Sequence, residues 1–401
     1  LVGSEMCIRD STFSVKFKWQ TYDIYQEDFM SDYIISQIYP SDILANKQIN
    51  ELLLAEGIRR DANLDYTCGM YDDEMNIIAT GSCFGNTLRC MAVSNAHQGE
   101  GLMNQIVTHL ISVQFERGNT HLFLYTKCNS AKFFGDLGFY EIARIDGQIV
   151  FMENRKTGFS AYLERLKKES EQSEVTKRFA TDNTPILSEV SSKAQKNLRI
   201  AALVMNANPF TLGHQYLVEK AAAESDILHL FIVSEDQSLV PFSVRKQLVL
   251  EGTAHLNNII YHESGPYIIS NATFPSYFQK DADAVMESHA NLDLTIFVRI
   301  AQALGINCRY VGEEPNSQVT GIYNKIMAKK LPENKISCTI VPRKEANGAV
   351  ISASTVRTAL KNDNIELLKT LVPETTLHYF QSKDADPVIA KIKAAEHVVH
   401  H

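Results

Sequence analysis

The feature that most constrains the fold is a continuous apolar run followed at once by a polar loop and a helix. The run is Arg199–Met205 (RIAALVM), and its unbroken apolar character is typical of a parallel strand buried on both faces. The loop Asn206–His214 (NANPFTLGH) follows, and residues 215–223 have helical spacing. A strand, a loop and a helix in this order predict an open α/β unit, in which ligands bind beyond the carboxyl ends of the strands.

Further apolar segments predict that this unit is a doubly wound, Rossmann-like sheet with right-handed crossovers. Its other predicted elements are strands over 227–234, 259–261 and 307–311, a strand that ends at Val341–Pro342, and a helix over 244–252. The earlier part of the chain alternates in the same way. Its predicted elements are strands over 76–83, 87–93, 122–126 and 139–142, and helices over 102–115 and 131–136. We therefore expect the α/β fold class for the whole protein.

The length of 401 residues suggests two or three domains of roughly 150 residues each. A charged, Ser/Thr-rich stretch with few large apolar residues after Leu166 marks the boundary. The opening letters, LVGSEMCIRDS, lead into no element and resemble translated adapter sequence. We predict a non-native segment 1–11, a first domain 12–159, an exposed helix and linker 160–196, a second domain 197–372 and a C-terminal tail 373–401.

Composition excludes several classes of protein. The chain carries 39 Lys and Arg against 47 Asp and Glu, a net charge of −8, which lacks the basic surplus of a nucleic-acid binder. No apolar run approaches the roughly 18 residues of a membrane span. The seven cysteines are odd in number and form no Cys-x-x-Cys pair, which favours reduced thiols in a cytoplasmic protein. We expect no nucleic-acid partner, no membrane contact and no protein-bound metal site.

The end of the polar loop carries the residues that best suit phosphate chemistry. A helix that starts there offers free backbone N–H groups and a partial positive charge. Gly213 lets a phosphate approach the backbone closely, and His214 can donate a hydrogen bond to charge that develops at an α-phosphate. The alternative is a structural one, in which Thr211 caps the helix and His214 is satisfied locally.

A second cluster of hydroxyl groups precedes a later helix. The segment Ile351–Arg357 (ISASTVR) offers Ser352 and Ser354 together with the guanidinium of Arg357. These groups suit the β- and γ-phosphates of a nucleotide, because Arg makes charge-assisted contacts with phosphate oxygens. Ser and Thr are also good N-caps, so the same letters fit an ordinary helix start.

Together the two motifs resemble those of the nucleotidyltransferase superfamily. The letters T-x-G-H at Thr211–His214 look like its H-x-G-H or T-x-G-H signature, and Ile351–Arg357 is similar to the I-S-x-S-x-x-R segment of adenylyltransferases. Class I aminoacyl-tRNA synthetases pair a related motif with K-M-S-K-S, which this sequence lacks. The resemblance implies a nucleotide-binding, adenylate-forming second domain.

The first domain resembles the GNAT acetyltransferases. The matching residues are the Gly-rich segment Gln98–Leu102 (QGEGL) between a strand and a helix, and Asn129–Phe139 (NSAKFFGDLGF). Two positions depart from that family, since Ala96 replaces the usual Gln or Arg and Phe134 replaces a Tyr that can act as a general acid. A phenyl ring cannot donate a proton, which makes transfer from free acetyl-CoA doubtful.

Three further segments between the motifs, taken together with the strand end and loop already described, resemble the citrate lyase ligase family, and the match runs from about residue 15 to 372. The three segments are Pro266–Gln279, Arg299–Ile306 and Tyr310–Asn324, and the strand end and loop are Val204–His214. The resemblance implies that ATP and acetate, with Mg²⁺, form acetyl-adenylate and pyrophosphate. The acetyl group then passes to the thiol of a dephospho-CoA-derived prosthetic group on the acyl carrier subunit of citrate lyase, which activates that enzyme.

The resemblance also implies roles for individual residues. His214 and Arg357 are the expected catalytic groups. The expected ATP-binding residues are Asn206, Asn208, Thr211, Gly213, His214, Gly312, Glu313, Ser352, Ser354 and Arg357. For the first domain we infer a pocket for the prosthetic group, made by Gln98, Gly99, Gly101, Leu102 and Asn129. Arg245 either guides a substrate or is an ordinary surface residue, and the sequence favours neither.

Two other functions stay open at this stage. One is an adenylyltransferase that transfers AMP to a phosphate acceptor such as phosphopantetheine; the additional GNAT-like domain and the segment Tyr310–Asn324 disfavour it. The other is a non-catalytic sensor of nucleotide and CoA, which the intact His214, Ser352, Ser354 and Arg357 disfavour.

Overall fold

The computed structural model describes residues 33–179, 198–235, 237–268, 282–313, 318–346 and 349–395. The side chains of 282–286, 318–322, 346 and 349 are not among the described groups. The segment 1–11 and residues 180–196 of the predicted helix and linker therefore lie outside the described residues. What remains forms a mixed α/β structure with two units, each built on its own main sheet, as the sequence predicted.

The first unit is a seven-stranded sheet in the order β1-β2-β3-β4-β5-β7-β6. Its strands are β1 Ile34–Gln37, β2 Tyr66–Tyr71, β3 Ile77–Phe84, β4 Thr87–Val93, β5 Phe123–Thr126, β6 Tyr140–Ile145 and β7 Ile149–Glu153. Its helices are α1 Ile43–Ala55, α2 Leu102–Glu116 and α3 Ala131–Asp136. Helix α2 packs on one face of this sheet through Ile106 and Leu110, and α1 packs on the other.

Strands β4 and β5 separate part-way along their length. They are parallel neighbours but pair only at Thr87 with Phe123 and at Leu88 with Leu124. The other neighbouring strands of this sheet are antiparallel. Beyond Leu88, β4 continues to Val93 without pairing to β5, and this separation opens a gap in the middle of the sheet.

The second unit is a five-stranded parallel sheet in the order β10-β9-β8-β11-β12. Its strands are β8 Ile200–Met205, β9 Ile227–Ile232, β10 Ile259–Glu263, β11 Cys308–Gly312 and β12 Ser337–Val341; a short hairpin, β13 Glu345–Ala346 and β14 Ala349–Val350, follows. The strand order reverses direction at β8, so the predicted doubly wound sheet is confirmed. Ligands in such sheets bind where the order reverses, which is between β8 and β11.

Helices cover this sheet and extend the unit beyond residue 372. They are α6 Leu212–Ala223, α7 Phe242–Gly252, α8 Ala282–Leu304, α9 Gln318–Glu333, α10 Ala353–Lys361, α11 Ile365–Leu371, α12 Glu374–Gln381 and α13 Asp386–Ala394. The last two fall in the segment that we expected to be a tail. The structure differs because Phe380, Val388 and Ile392 are buried in one apolar cluster with Val356 of α10. Within the described ranges, no helix is both long and apolar enough to cross a membrane.

The helix α4 (Gly158–Gln172), which leads out of the first unit, is less exposed than predicted. Phe159, Tyr162 and Leu166 follow the i, i+3, i+4 spacing of a buried stripe, and they join an apolar cluster that contains side chains of both units. A short helix, α5 (Glu174–Lys177), comes next. Near the C-terminal end of α4, the carboxylate of Glu169 contacts the buried side chain of His262 on β10, with 3.2 Å between Glu169 Oε2 and His262 Nδ1. Helix α4 is therefore an internal bridge between the units.

A buried carboxylate fixes the contact between the two units. Glu153, at the end of β7, accepts hydrogen bonds from His121 Nε2 at 2.7 Å, from the Phe159 backbone N–H at 2.7 Å and from the Tyr267 hydroxyl at 2.8 Å. Tyr267 follows β10, so the last bond crosses between the units. A side chain at Gly158 would collide with this carboxylate. The relative position of the two units is thus defined by directional bonds as well as by apolar packing.

We predict that Tyr267→Phe lowers the free energy of unfolding by about 1–3 kcal/mol, because it leaves a buried carboxylate oxygen short of one donor. Urea unfolding followed by circular dichroism measures this loss. Tyr140→Phe is the matched control, since that tyrosine is 40% exposed. Equal unfolding midpoints for the two variants would contradict the assigned role of the bond.

Candidate functional site

The polar loop after β8 ends in a reciprocal capping arrangement. The Thr211 hydroxyl accepts a hydrogen bond from the backbone N–H of His214 at 3.2 Å, and His214 Nδ1 accepts one from the backbone N–H of Thr211 at 3.1 Å. Helix α6 starts at Leu212, three residues earlier than the spacing predicted, and so places Gly213 and His214 in its first turn. The capping alternative and the phosphate-binding alternative are compatible here, since the capping uses only one ring nitrogen.

The capping bond determines which nitrogen of His214 can donate. Because Nδ1 accepts from a backbone N–H, the neutral ring carries its proton on Nε2. Burial, with a smaller repulsion from Arg343, lowers the pKa of His214 to about 4. At neutral pH the side chain is therefore an uncharged hydrogen-bond donor, and the ring is held in place by its own helix start.

The second motif begins helix α10 beside the first. Ser352 is its N-cap, and the Ser352 hydroxyl accepts the backbone N–H of Thr355 at 3.1 Å and lies 2.8 Å from the Ser354 hydroxyl. A Cβ atom at Gly213 would lie only 3.2 Å from the Ile351 carbonyl oxygen. The missing side chain at 213 thus allows the N-terminal ends of α6 and α10 to approach each other closely.

The two helix starts line a cavity of about 170 Å³ at the carboxyl edge of the sheet, which we call the phosphate cavity. Its walls include Thr211, Gly213, His214, Tyr216, Leu217, Gly312, Val341, Pro342, Arg343, Lys344, Ile351, Ser352 and Ala353. Two helix N-termini and two cationic side chains give it a positive potential, which suits an anionic ligand such as a phosphate. The predicted groups Gly213, His214, Gly312 and Ser352 all meet here.

The predicted site residues Asn206, Asn208 and Arg357 stabilise the polar loop through hydrogen bonds. Asn206 donates to the Ser238 hydroxyl at 3.0 Å and accepts from Arg245 at 2.7 Å. Asn208 accepts from the backbone N–H of Val240 at 3.0 Å, and its carbonyl oxygen accepts from the guanidinium of Arg357. Arg357 is only 2% exposed, and burial lowers its pKa to about 10. In this conformation Arg357 supports the loop, while its contact with a leaving pyrophosphate stays a prediction.

Arg245 is neither a surface residue nor a substrate guide in this conformation. The side chain is completely buried on α7, and its guanidinium donates to the carbonyl oxygens of Asn206, Val233, Val240 and Glu235. These carbonyls belong to the loops after β8 and β9. Arg245 therefore ties the two loops together, a role that sequence spacing gives no way to recognise.

Two neighbouring predicted residues, Gly312 and Glu313, lie at or next to the wall of the phosphate cavity. Gly312 ends β11, and its carbonyl accepts from Asn324 at 3.1 Å. Glu313 is exposed; its N–H bonds the Val341 carbonyl at 2.8 Å, and its own carbonyl accepts from Arg343 at 2.8 Å. Arg343 and Lys344 were not among the predicted residues. Their signal was a cationic pair directly after a predicted strand end.

The described residues offer no protein site for a metal ion, since no group of three His, Cys, Asp or Glu side chains among them could hold one. Among the described residues, the walls of the phosphate cavity carry Arg343 and Lys344 and no carboxylate. This donor set fits phosphate oxygens rather than a divalent cation, because Mg²⁺ prefers oxygen ligands.

A larger cavity of about 650 Å³ lies in the gap between β4 and β5 of the first unit, and we call it the arm cavity. All five residues that we predicted for this unit line it, namely Gln98, Gly99, Gly101, Leu102 and Asn129. Gly99 and Gly101 have φ values of +95° and +77°, which a residue with a side chain rarely adopts. Gly101 is also the N-cap of α2, so its loop presents backbone N–H groups to the cavity.

The walls of the arm cavity hold no activated nucleophile among their described cysteines. Cys90 is buried, and burial raises the pKa of its thiol to about 12. Burial likewise raises the pKa of Cys68 to about 12 and that of Cys83 to about 11, although these two thiols do not line the arm cavity. Phe134 also lines the cavity. These side chains suit packing and shape rather than covalent or acid–base chemistry.

Comparison with curated proteins decides the family. The chain is 38% identical over 339 residues to the citrate (pro-3S)-lyase ligase of Haemophilus influenzae, covering 83% of this chain and 94% of that protein. It is 36% identical to the protein of that name from Escherichia coli K12, covering 87% and 94%. This chain belongs to the citrate (pro-3S)-lyase ligase family. It is therefore an enzyme of the ligase class, and the family resemblance of its motifs is confirmed.

The match to a family model and to solved structures divides along the two units. The family model for the citrate lyase ligase C-terminal domain matches residues 200–380, which include the whole parallel sheet and all but the last residue of α12. The first unit has the mixed sheet and Gly-rich helix start expected of a GNAT-like fold. Over this part the chain is similar to Escherichia coli ElaA, with 13% identity, 31% of this chain and 99% of that chain covered, and a TM-score of 0.28. An acyl-CoA N-acyltransferase structure from Klebsiella pneumoniae is 17% identical. The match covers 30% of this chain and 96% of that chain, with a TM-score of 0.26.

The lowered pKa of His214 predicts a specific pH dependence of stability. An unfolded histidine titrates near 6.5, whereas this one titrates at about 4 in the folded protein, so the unfolded chain binds the proton first. Stability should therefore fall as the pH decreases from about 6.5 toward 4. We expect His214→Gln, whose amide oxygen can still accept the Thr211 N–H, to lose less stability over this range than the unmodified chain. Urea unfolding at a series of pH values tests this, and parallel losses would refute it.

Proposed function

We propose that this enzyme joins a short carboxylic acid, acetate in the first instance, to a thiol at the expense of ATP. The observation that supports this most is the phosphate cavity, in which two helix N-termini, Arg343, Lys344 and the uncharged donor His214 surround one anion-sized space. The relatives at 36–38% identity are named as ligases of citrate lyase. We therefore assign the acyl carrier subunit of citrate lyase, with its dephospho-CoA-derived prosthetic group, as the partner.

In the first step an acetate oxygen attacks the α-phosphorus of ATP. The new P–O bond forms as the bond to the β-phosphate oxygen breaks, and pyrophosphate leaves with the electron pair. Charge spreads over the phosphoryl oxygens during such a transfer, so catalysis consists of positioning and electrostatic stabilisation. His214 Nε2–H donates to these oxygens, the starts of α6 and α10 bind the phosphates, and Mg²⁺ would be carried in by the triphosphate. Gly312 and Glu313 hold the adenosine part.

In the second step the thiol of the prosthetic group takes the acetyl group. The thiol sulfur bonds to the acyl carbon, the bond from that carbon to the phosphate oxygen breaks, AMP leaves with the electron pair, and the thiol proton is released to water. No protein nucleophile is required, which agrees with the raised pKa values of the buried cysteines. A reducing compartment such as the cytoplasm suits these thiol groups.

The arm cavity of the first unit is the proposed site of the prosthetic group. Its volume of about 650 Å³ and its walls of apolar side chains and loop N–H groups suit a long arm that ends in a pyrophosphate. The Gly-rich loop Gln98–Leu102 would hold the pyrophosphate at the start of α2. The GNAT-like unit thereby presents the arm's thiol instead of transferring from free acetyl-CoA.

Mass spectrometry after incubation with ATP, acetate and the carrier subunit tests the proposed reaction. The proposal predicts free AMP, pyrophosphate and a carrier that has gained one acetyl group. An adenylylated acceptor, with no free AMP, would instead establish the alternative of AMP transfer to a phosphate group. ATP–pyrophosphate exchange across a panel of short carboxylic acids then defines the acid.

We predict that His214→Ala lowers acetate-dependent ATP–pyrophosphate exchange by about 10²–10³-fold, as does the loss of other donors that stabilise transition-state charge. His378→Ala is the control, because that histidine lies on α12 with its side chain 67% exposed. Near-normal exchange in His214→Ala would remove the residue from the proposed mechanism.

Substitution in the Gly-rich loop should separate the two steps. We predict that Gly99→Trp lowers carrier acetylation at least about tenfold and leaves pyrophosphate exchange unaltered, because misplacing one reactant costs rate without affecting the other site. Gly118→Trp is a matched control, since Gly118 is also exposed with φ +82° but lies after α2, away from the arm cavity. Equal acetylation by the two variants would place the arm elsewhere.

A further inference from the structure

A third cavity, of about 370 Å³, lies between the two units. The first unit contributes an aromatic wall to it, made by Phe123 and Tyr125 of β5 and Phe151 of β7. Phe151 stacks on both others, with ring centroids 5.6 Å from Phe123 and 4.5 Å from Tyr125. The second unit contributes polar residues, among them Glu235 and Gln237, from the loop after β9. We call this space the interdomain cavity.

The interdomain cavity and the arm cavity share one side chain. Tyr125 lines both, and it lies on β5 just past the point at which β4 and β5 stop pairing. Cys90, Met91 and Ala92 of β4 line the arm cavity on the opposite side of that gap. An arm that enters the arm cavity from the Gly-rich loop therefore points through the sheet toward the second unit, with Tyr125 at the boundary.

The wall of the interdomain cavity is also hydrogen-bonded to the polar loop that follows β8. The Glu235 carboxylate accepts from the Ser238 hydroxyl at 2.7 Å, and that hydroxyl accepts from Asn206 at 3.0 Å. Buried Arg245 donates to the carbonyl oxygens of both Glu235 and Asn206. Thus the cavity wall and the loop after β8 are held by one hydrogen-bonded network, so the two sites keep a fixed relative position.

The positions of the phosphate cavity and the interdomain cavity along the sheet indicate which reactant each would hold. The phosphate cavity covers the carboxyl ends of β11 and β12 and the end of the loop after β8, while the interdomain cavity covers the loops that follow β9 and β10. Both therefore lie along the same edge of one parallel sheet. A nucleotide bound in the first would present its α-phosphate toward the loop after β8, which leaves the second for the group that reacts with it.

We propose that the interdomain cavity receives the thiol end of a pantetheine-type arm, and that the thiol meets the acyl-adenylate there. The aromatic wall suits the arm's methylene groups, and the polar loop after β9 suits its amide groups. This inference rests on the proposed function, because it names the place where the two half-reactions meet. It makes Tyr125 and Gln237 positioning residues for the transfer step.

The test places a large side chain in the interdomain cavity by substitution at an exposed position. Gln237 lines it and is exposed, so Gln237→Trp should fold normally. Gln247→Trp, at an exposed position on α7 outside the three cavities, is the matched control. We expect Gln237→Trp to lower carrier acetylation at least about tenfold more than it lowers ATP–pyrophosphate exchange, as misplacement of one reactant would. The control should keep both rates.

The outcomes separate this inference from the proposed function. If the unmodified enzyme exchanges pyrophosphate and acetylates the carrier, the proposed function stands. If Gln237→Trp then acetylates the carrier as fast as Gln247→Trp does, the interdomain cavity is not the route. Equal loss of exchange and acetylation would also overturn the inference, because it would place Gln237 in the adenylate site. Failure of the unmodified enzyme to acetylate the carrier would overturn the proposed function itself.

A labelling experiment tests occupancy without relying on activity. Pantetheine joined to 2-thiopyridine through a disulfide is the probe. In Gln237→Cys, the introduced thiolate would attack the pantetheine sulfur, form a mixed disulfide and release 2-thiopyridone with the electron pair. We expect this labelling to saturate with probe concentration and to exceed labelling of Gln247→Cys about tenfold, the mass gain being one pantetheine. Equal, unsaturable labelling of both variants would overturn the inference.

Discussion

The close approach of two helix starts at Gly213 is the constraint on which the functional site depends. A side chain there would press against the Ile351 carbonyl, so glycine is what lets the T-x-G-H loop and the second motif share one cavity. Each start is capped by its own hydroxyl, Thr211 or Ser352, so the remaining N–H groups face the space between them. Two partial positive charges then act on the same small volume, and an anion there satisfies both.

The capping bond, together with burial, determines which nitrogen of His214 carries the proton and keeps the ring uncharged. Its capping bond leaves Nε2 as the donor, and burial beside Arg343 keeps the ring neutral, so the site has a directional donor without another fixed charge. The guanidinium groups of Arg245 and Arg357 are buried and donate hydrogen bonds to carbonyl oxygens of the polar loop. The loop is therefore held by hydrogen bonds within the protein, and donors that are preorganised in this way stabilise transition-state charge most effectively.

The contact between the two units fixes the relative positions of the three cavities. Glu153 bonds across the boundary to Tyr267, Arg299 donates to the Ile142 carbonyl at 2.6 Å, and Phe159 and Phe297 belong to one apolar cluster. A buried, directionally bonded boundary of this kind resists sliding. It therefore keeps the arm cavity, the interdomain cavity and the phosphate cavity in a constant spatial order, as the two-step reaction that we propose would require.

The sequence by itself determined the parallel strands, the two capped helix starts, the Gly-rich loop and the family, because these depend on local patterns: apolar runs, capping residues and glycines. It could not determine the burial of Arg245 and Arg357, the packing of α4, α12 and α13, or the part that Arg343 and Lys344 play in the phosphate cavity. Those properties depend on which distant segments meet. An arginine has the same letter at a surface and in a core, and only the tertiary structure decides whether carbonyl oxygens or water surround its guanidinium.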